Sequence, residues 1–412
     1  MEFAREVLSN GLEIVAECSA DAHSTALGFF VRTGARDETD AVAGVSHFLE
    51  HMVFKGTPHR SAADVNREFD EIGAHYNAFT NEENTVFYAA VLPEHQAPAL
   101  ALLSDILRPS LRGQDFDTEK QVILEEIRMY EDQPPFGADE KCRAAHFGPH
   151  PLGRSVLGTA ERIQGLSVEA MRAYWQRRYR PGNIVLAAAG RVDFQNLVAD
   201  AQRHCGHWEA GDDRRAAEPA PRSSGFQAIC RPSATQQYAL QLAAGPTSLD
   251  PTRYAAKLLA MVLGDDTGSR LYWELVDPGL AEHAELSHYE YEGAGVFLTY
   301  MSCTPEQTAG NLQRILDLCR RAEREPISAA ELEQSKSKVR SRIVLSSERP
   351  RGRLFSVGAD WVYRHEYRSV EEDLAAVAAI TVNELSAVLA QYPLSVNTCI
   401  TIGPLANVAE PQ

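Results

Sequence analysis

The sequence predicts an α+β fold class: two similar α/β domains, each a mixed, largely antiparallel sheet packed with helices on one side, related by internal duplication. Three observations lead there. Short apolar, β-branched runs alternate with stretches of helical period along the chain. The order of elements in the first half returns in the second. A polar, charged, Pro- and Ala-rich segment, "WEAGDDRRAAEPAPRSSG" (residues 208–225), separates the two. At 412 residues and 44% hydrophobic content the chain can bury more than one core.

Taken in order, "EIVAE", "TALGFFVRTG" and "NTVFYAAVL" alternate or run apolar as strands do. Residues 61–73, 94–107 and 115–131 read as helices, Ser61 and Asp64 giving the first an S-x-x-D cap, and Asp117 or Thr118 capping the last. The duplication rests on two alignments. "STALGFFVRTGARDETDAVAGVSHFLEHM" matches "QQYALQLAAGPTSLDPTRYAAKLLAMVLG", with Gly34 on Gly245. "GLSVEAMRAYW" matches "AITVNELSAVL", with Ser167 on Thr381 at nearly the same spacing. The expected division is residues 1–212, a linker at 213–225, and residues 226–412.

With 40 Lys and Arg against 57 Asp and Glu, the formal charge of -17 argues against non-specific nucleic-acid or anionic-membrane binding and favours positively charged substrates. Seven scattered cysteines without a C-x-x-C pair fit a reducing compartment. The N-terminal "MEFAREVLSNGLEIVAE" carries charges where a signal peptide needs an apolar core, and no apolar run is long enough for a membrane span. The expectation is a soluble, cytoplasmic protein.

"VSHFLEHMVF" (residues 45–54) sets two histidines and a glutamate in an apolar run. On a helix, residues three and four apart share a face, so His47, Glu50 and His51 point the same way. Imidazoles one turn apart can hold one metal ion, and Glu50 is then placed as general base toward a water activated there. Hydrogen-bonded core histidines would satisfy the same spacing, so a third ligand is needed. "DTEKQVILEEIRMYED" offers one: Glu119 and Glu126 lie two turns apart on one face, with Val122, Ile123 and Ile127 making the neighbouring face apolar. Glu126 could reach the metal and Glu119 could orient a ligand; a solvated acidic face is the competing reading. At the duplicated positions stand Leu258, Met261 and Val262, so only the first domain can hold the metal. "RHCGHW", with His204, Cys205 and His207, has a spacing that suits no standard zinc site and reads as incidental.

HFLEH followed by a glutamate in a VILEEI-type helix resembles the insulinase/pitrilysin family of zinc metallopeptidases, the inverted HxxEH group, and its short processing-peptidase-like branch above all. "LSNGLEIV", "GVSHFLEHMVFKGT", "NAFTNEENTVFYA", "LSVEAMRAYWQRRYRPGNIVLAAAG" and "GSRLYWEL" carry the likeness along nearly the whole chain. The resemblance implies one zinc per chain on His47, His51 and Glu126, with Glu50 as general base and Glu119 as the acid behind a ligand. It implies that the segment of Asn77, Ala78 and Phe79 pairs main chain to main chain with an extended peptide. It also implies a half-clamshell, completed by a homodimer or a heterodimer with a related chain.

One departure stands out. Active relatives carry an Arg and a Tyr within a segment like "LREKRGLAY", whereas this chain reads "LVDPGLAEH", with Val276 for the Arg and Glu282 for the Tyr. An acid at an oxyanion donor's place repels the charge it should stabilise. His288, Tyr289 or Tyr291 could substitute, the metal could bear the load, or the chain could be a weak or inactive partner subunit.

Overall fold

The computed structural model describes residues 1–132, 135 and 137–412, which divide into two compact units. Unit 1 comprises Met1–Arg128, Arg154–Ala216 and Val344–Arg368; unit 2 comprises Met129–Gly153, Ala217–Ile343 and Ser369–Gln412. The units are discontinuous where the sequence suggests two contiguous halves. Two helices cause the difference, each lent by one half of the chain to the sheet of the other.

The sheet of unit 1 has six strands: β1 (Glu2–Val7), β2 (Glu13–Cys18), β3 (Thr25–Val31), β4 (His75–Thr80), β5 (Thr85–Val91) and β6 (Ile184–Gly190). Their order is β1-β2-β6-β3-β5-β4, and only β2 and β6 pair in parallel. Unit 2 holds β7 (Gly225–Cys230), β8 (Gln237–Ala244), β9 (His283–Tyr291), β10 (Ala294–Cys303) and β11 (Asn397–Gly403), in the order β7-β11-β8-β10-β9. Here too one pairing is parallel, β7 with β11. Apart from β1 the two sheets have the same topology, as a duplication requires.

The helices of the first half are α1 (Val45–Val53), α2 (Ala62–Glu71), α3 (Gln96–Ile106), α4 (Gly113–Asp132), α5 (Ala138–Phe147), α6 (Ala160–Gly165), α7 (Val168–Arg178) and α8 (Phe194–Cys205). The second half adds α9 (Arg253–Gly264), α10 (Thr308–Arg324), α11 (Ala329–Ser347), α12 (Pro350–Arg364), α13 (Val370–Ala379) and α14 (Val382–Gln391). Ser61 caps α2 in a capping box with Asp64. Ser167 and Thr381, the aligned pair, cap α7 and α14 through the amides of Ala170 and Glu384. Asp117 and Thr118 do not cap α4: the helix starts at Gly113, its first turn held by the Arg112–Asp115 pair, and the Thr118 hydroxyl donates back to the Gln114 carbonyl.

In unit 1, α1, α3 and α8 pack on one face of the sheet, and α12, from the far end of the chain, covers the other. This is why β3 and β6 are buried at every residue rather than alternating. Leu354, Val357 and Trp361 of α12 meet Val15, Phe30 and Val185. The Arg353 guanidinium pairs with buried Glu17, and the Trp361 indole donates to Glu13. In unit 2, α5 plays the same part, setting Cys142 and Phe147 against Leu240, Leu242, Val296 and Ile400. The α12 backbone lies so close to β3 that a Cβ at Gly358 would overlap the Phe30 ring. Gly358→Val should therefore destabilise unit 1 by about 1–3 kcal/mol through overpacking, read as a lower urea midpoint at unchanged slope.

The polar segment around residues 209–224 has no regular structure, but it is not free. Arg215 is buried against Asp37 and Glu83, which moors the chain to unit 1 just before it passes to unit 2 at Ala217. No single helix among the described residues is long and apolar enough to cross a membrane. All seven cysteines are free.

Candidate metal centre

Helix α1 begins where it does because Glu38 takes up its orphan amides: the Gly44 and Ser46 N–H groups donate to its two carboxylate oxygens at 2.6 and 2.7 Å. Burial pushes the Glu38 carboxyl up to about 8 against the pull of those bonds. Gly44 has φ +88°, and its missing Cβ leaves room for the Leu157 carbonyl. Val45, Phe48, Leu49 and Met52 bury the apolar face of α1, Phe48 stacking on Phe116 of α4 at 4.7 Å. The polar face, carrying His47, Glu50 and His51, is thereby turned toward the face of α4 that carries Glu119 and Glu126.

The structure brings His47, His51 and Glu126 together: one ligand atom from each lies within 4.8 Å of the other two. The Glu126 carboxylate is 3.8 Å from His47 Nε2 and 3.9 Å from His51 Nε2. His51 Nδ1 donates to Glu119 at 2.9 Å, which fixes the tautomer and leaves Nε2 with its lone pair toward Glu126. Lys55, one turn beyond His51, holds the other Glu119 oxygen at 2.6 Å. The Thr80 hydroxyl, at the end of β4, donates to Glu50 at 2.6 Å.

Without metal these groups titrate as their surroundings dictate. Burial, assisted by the His51 charge, pushes the His47 imidazole down to about 3, so it is a neutral donor at any physiological pH. Burial also works against the charged form of His51, but the Glu119 hydrogen bond and the Glu126 and Glu50 carboxylates outweigh it and raise the group. Desolvation raises Glu50 and Glu126. Glu119, although desolvation opposes it, is held below the usual carboxylate range by His51 and Lys55. Two imidazoles and a carboxylate suit zinc, and the Glu126–imidazole separations of 3.8 and 3.9 Å need close by about half an ångström to match bonds of about 2 Å. Glu119→Gln would weaken the hold on His51; an expected 10- to 100-fold loss of zinc affinity can be measured by competition with a chromogenic chelator.

Asn77, Ala78 and Phe79 lie on β4, the edge strand of the sheet beside α1, with no further strand paired to its outer side among the described residues. Phe79 is exposed and Ala78 buried. Val122 departs from expectation: it is 46% exposed, because it shares the face of Glu119 and Glu126, while Ile123 and Ile127 enter the core. Sequence reasoning missed Lys55 and Thr80. Both carried a signal, Lys55 sitting four residues after His51 and Thr80 next to Phe79.

In unit 2, Val276 packs against the apolar core and Glu282 is hydrogen-bonded by Gln236. His288 donates through Nε2 to the Pro246 carbonyl, and burial pushes it down to about 4. Tyr291 is buried beside Arg143 and Tyr289 is exposed. Among the described residues a second trio of possible ligands, Asp266, His283 and Glu285, converges on the surface; the histidines of RHCGHW belong to neither group.

Two imidazoles and a carboxylate around one point, with one glutamate behind a ligand and another nearby, form a candidate metal centre on a scaffold of two α/β units. The sequence model for the insulinase family (peptidase family M16) matches residues 13–160, and that for the peptidase M16 inactive domain matches residues 165–339. An uncharacterized zinc protease of Mycobacterium tuberculosis is 33% identical over 93% of this chain and 89% of its own length. Another, from Bacillus subtilis, is 30% identical over 98% and 99%. A protease from Helicobacter pylori has the same fold, with a TM-score of 0.92 at 20% identity over 98% of this chain and 99% of its own. The chain belongs to the insulinase family of zinc metallopeptidases.

Proposed function

We propose that this chain is a zinc-dependent endopeptidase acting on peptides or small unfolded polypeptides, with one zinc on His47, His51 and Glu126. The observation that carries the reading is the convergence of those three ligand atoms beside the Glu50 carboxyl. Bound there, zinc would supply Lewis acidity, polarising a carbonyl and lowering the pKa of a water. Glu50 accepts the attacking water's proton and returns it to the leaving amine. Thr80 occupies one Glu50 oxygen and leaves the other to that proton, and burial keeps the carboxylate basic. Glu119 and Lys55 hold His51 in orientation throughout. An extended substrate would add to the β4 edge along Asn77–Phe79, binding mostly through its backbone and so with weak sequence preference. A second copy or a related chain would complete the enclosing chamber.

The experiment is metal exchange. Stripping the purified chain with a chelator should abolish cleavage of a mixture of flexible peptides, followed by mass spectrometry, and stoichiometric zinc should restore it. Val276 and Glu282 favour a second reading, a partner subunit that binds zinc without cutting. Full zinc loading with no cleavage, by the chain alone, would select it.

A further inference from the structure

Arg203, His204, His207 and Trp208 of RHCGHW, none of them part of the metal site, line a cavity. It has a volume of about 460 Å3, lies in unit 1, and is bounded by the end of α3, the end of α8 and the loop after α1. His204 and His207 line it together with His59, Arg60, Arg108 and Arg203. Asp105 is the acid on its wall, in a chain whose net charge is -17.

The ion pairs around the cavity are uneven. Asp105 is spent on Arg60 at 2.9 Å and on the Thr57 hydroxyl at 2.7 Å. Arg60 is further held by Glu68, and Arg203 by Asp200. Arg108, mostly buried, has no carboxylate partner among the described residues. One of its five donors goes to the Leu107 carbonyl, which also accepts from the Trp175 indole. Its guanidinium lies 3.6 Å over the Trp208 ring and 5.7 Å from the Trp175 ring. Trp208 is itself fixed: its carbonyl, like that of Cys205, accepts from the Asn10 side chain. Arg108 also lines a second cavity, of about 360 Å3, together with Arg180 and Glu209, which pair with each other.

A mostly buried guanidinium is costly without a counter-charge. Its face is taken by Trp208, so its edge is what remains for a ligand, and that edge is the fork that matches an oxyanion. Burial lowers the group to about 10, which leaves it cationic at neutral pH. A lone carboxylate would be satisfied by that fork alone. The ring donors of three histidines and the Arg203 side chain around the same space suit the three oxygens of a phosphate.

We propose that this cavity binds a small phosphate-bearing ligand, with Arg108 as the anion clamp and His204, His207 and Arg203 lining the same space. The site is independent of the peptidase reading, since it shares no residue with the metal centre.

The test is calorimetric titration of the purified full chain with inorganic phosphate and with glycerol phosphate, using chloride at equal ionic strength as the reference. Two variants accompany the parent: Arg108→Met, and the pair His204→Ala with His207→Ala. Both probes should bind one per chain at the cavity, and a tighter glycerol phosphate would identify an ester rather than free phosphate as the ligand. Loss of a charged hydrogen-bonding group should weaken binding about 10-fold or more in Arg108→Met, and the histidine pair should weaken it a few-fold. Zinc content should be unchanged in both, which separates this binding from any phosphate on the metal. No binding by the parent at millimolar phosphate overturns the proposal, as does equal affinity in the parent and Arg108→Met. Should Arg108→Met not fold, unchanged affinity in the histidine pair, where His207 is exposed and His204 half-buried, overturns it instead.

Discussion

Glu50→Gln should abolish measurable peptide cleavage and leave zinc content where it was. The amide keeps the volume of the carboxyl and can still accept the Thr80 hydrogen bond, so α1 and its two histidines stay in place. What it cannot do is accept a proton, and general base catalysis contributes about 10²- to 10⁴-fold. The fall should appear in kcat, with KM little changed, because the residue holds no part of the substrate that the ground state binds. Cleavage by the pure variant at a rate near the parent's would remove Glu50 from the mechanism. A loss of zinc with the loss of rate would instead make it a structural support of the site.

The second large effect is on stability. Asp37→Asn should cost unit 1 about 3–5 kcal/mol, since it leaves buried guanidinium charge uncompensated. Asp37 accepts from Arg178 at 2.9 Å, from Arg215 at 2.6 and 2.9 Å and from the Gly34 amide at 3.0 Å, all in the interior. Beside it buried Glu83 takes Arg36 at 2.6 Å. Trp175, Trp208 and Trp361 lie in unit 1, and the fourth tryptophan, Trp273 in unit 2, is already 61% exposed, so the change of tryptophan fluorescence in urea mainly follows unit 1. Asp213→Asn is the control: it also faces Arg178, but its side chain is 35% exposed, and its loss should cost under about 1 kcal/mol. Equal effects from the two variants would refute the distinction between buried and screened pairs.

The parts of this molecule that were legible in the sequence are those decided by local pattern. The strands around "TALGFFV" and "TVFYAAV" follow from their apolar runs, and the Ser61 cap from four residues. His47, Glu50 and His51 share a face because a helix has 3.6 residues per turn. Glu119 and Glu126 needed a second helix and a resemblance to be joined to them. What pattern could not reveal depends on contacts far apart in the chain. Glu38 caps α1 from an irregular segment, and nothing in its neighbours distinguishes it from a surface acid. Nothing in residues 350–364 assigns them to the first sheet, because their place there is set by shape against Phe30 and Val185. Arg215 looks like part of a solvated linker until Asp37 and Glu83 are found around it.

The helix exchange has a consequence for how the chain is made. All six strands of the first sheet have been synthesised once Gly190 has left the ribosome, yet the helix that covers one of its faces begins at Pro350. At ordinary elongation rates that interval lasts on the order of 10–30 s, during which Phe30, Val86 and Val185 have no cover of their own. Until then, that face of the first sheet has only transient partners for its apolar surface. A gene cut at the central polar segment would yield two fragments that each miss a wall, and co-expression should give more soluble protein than either fragment expressed alone.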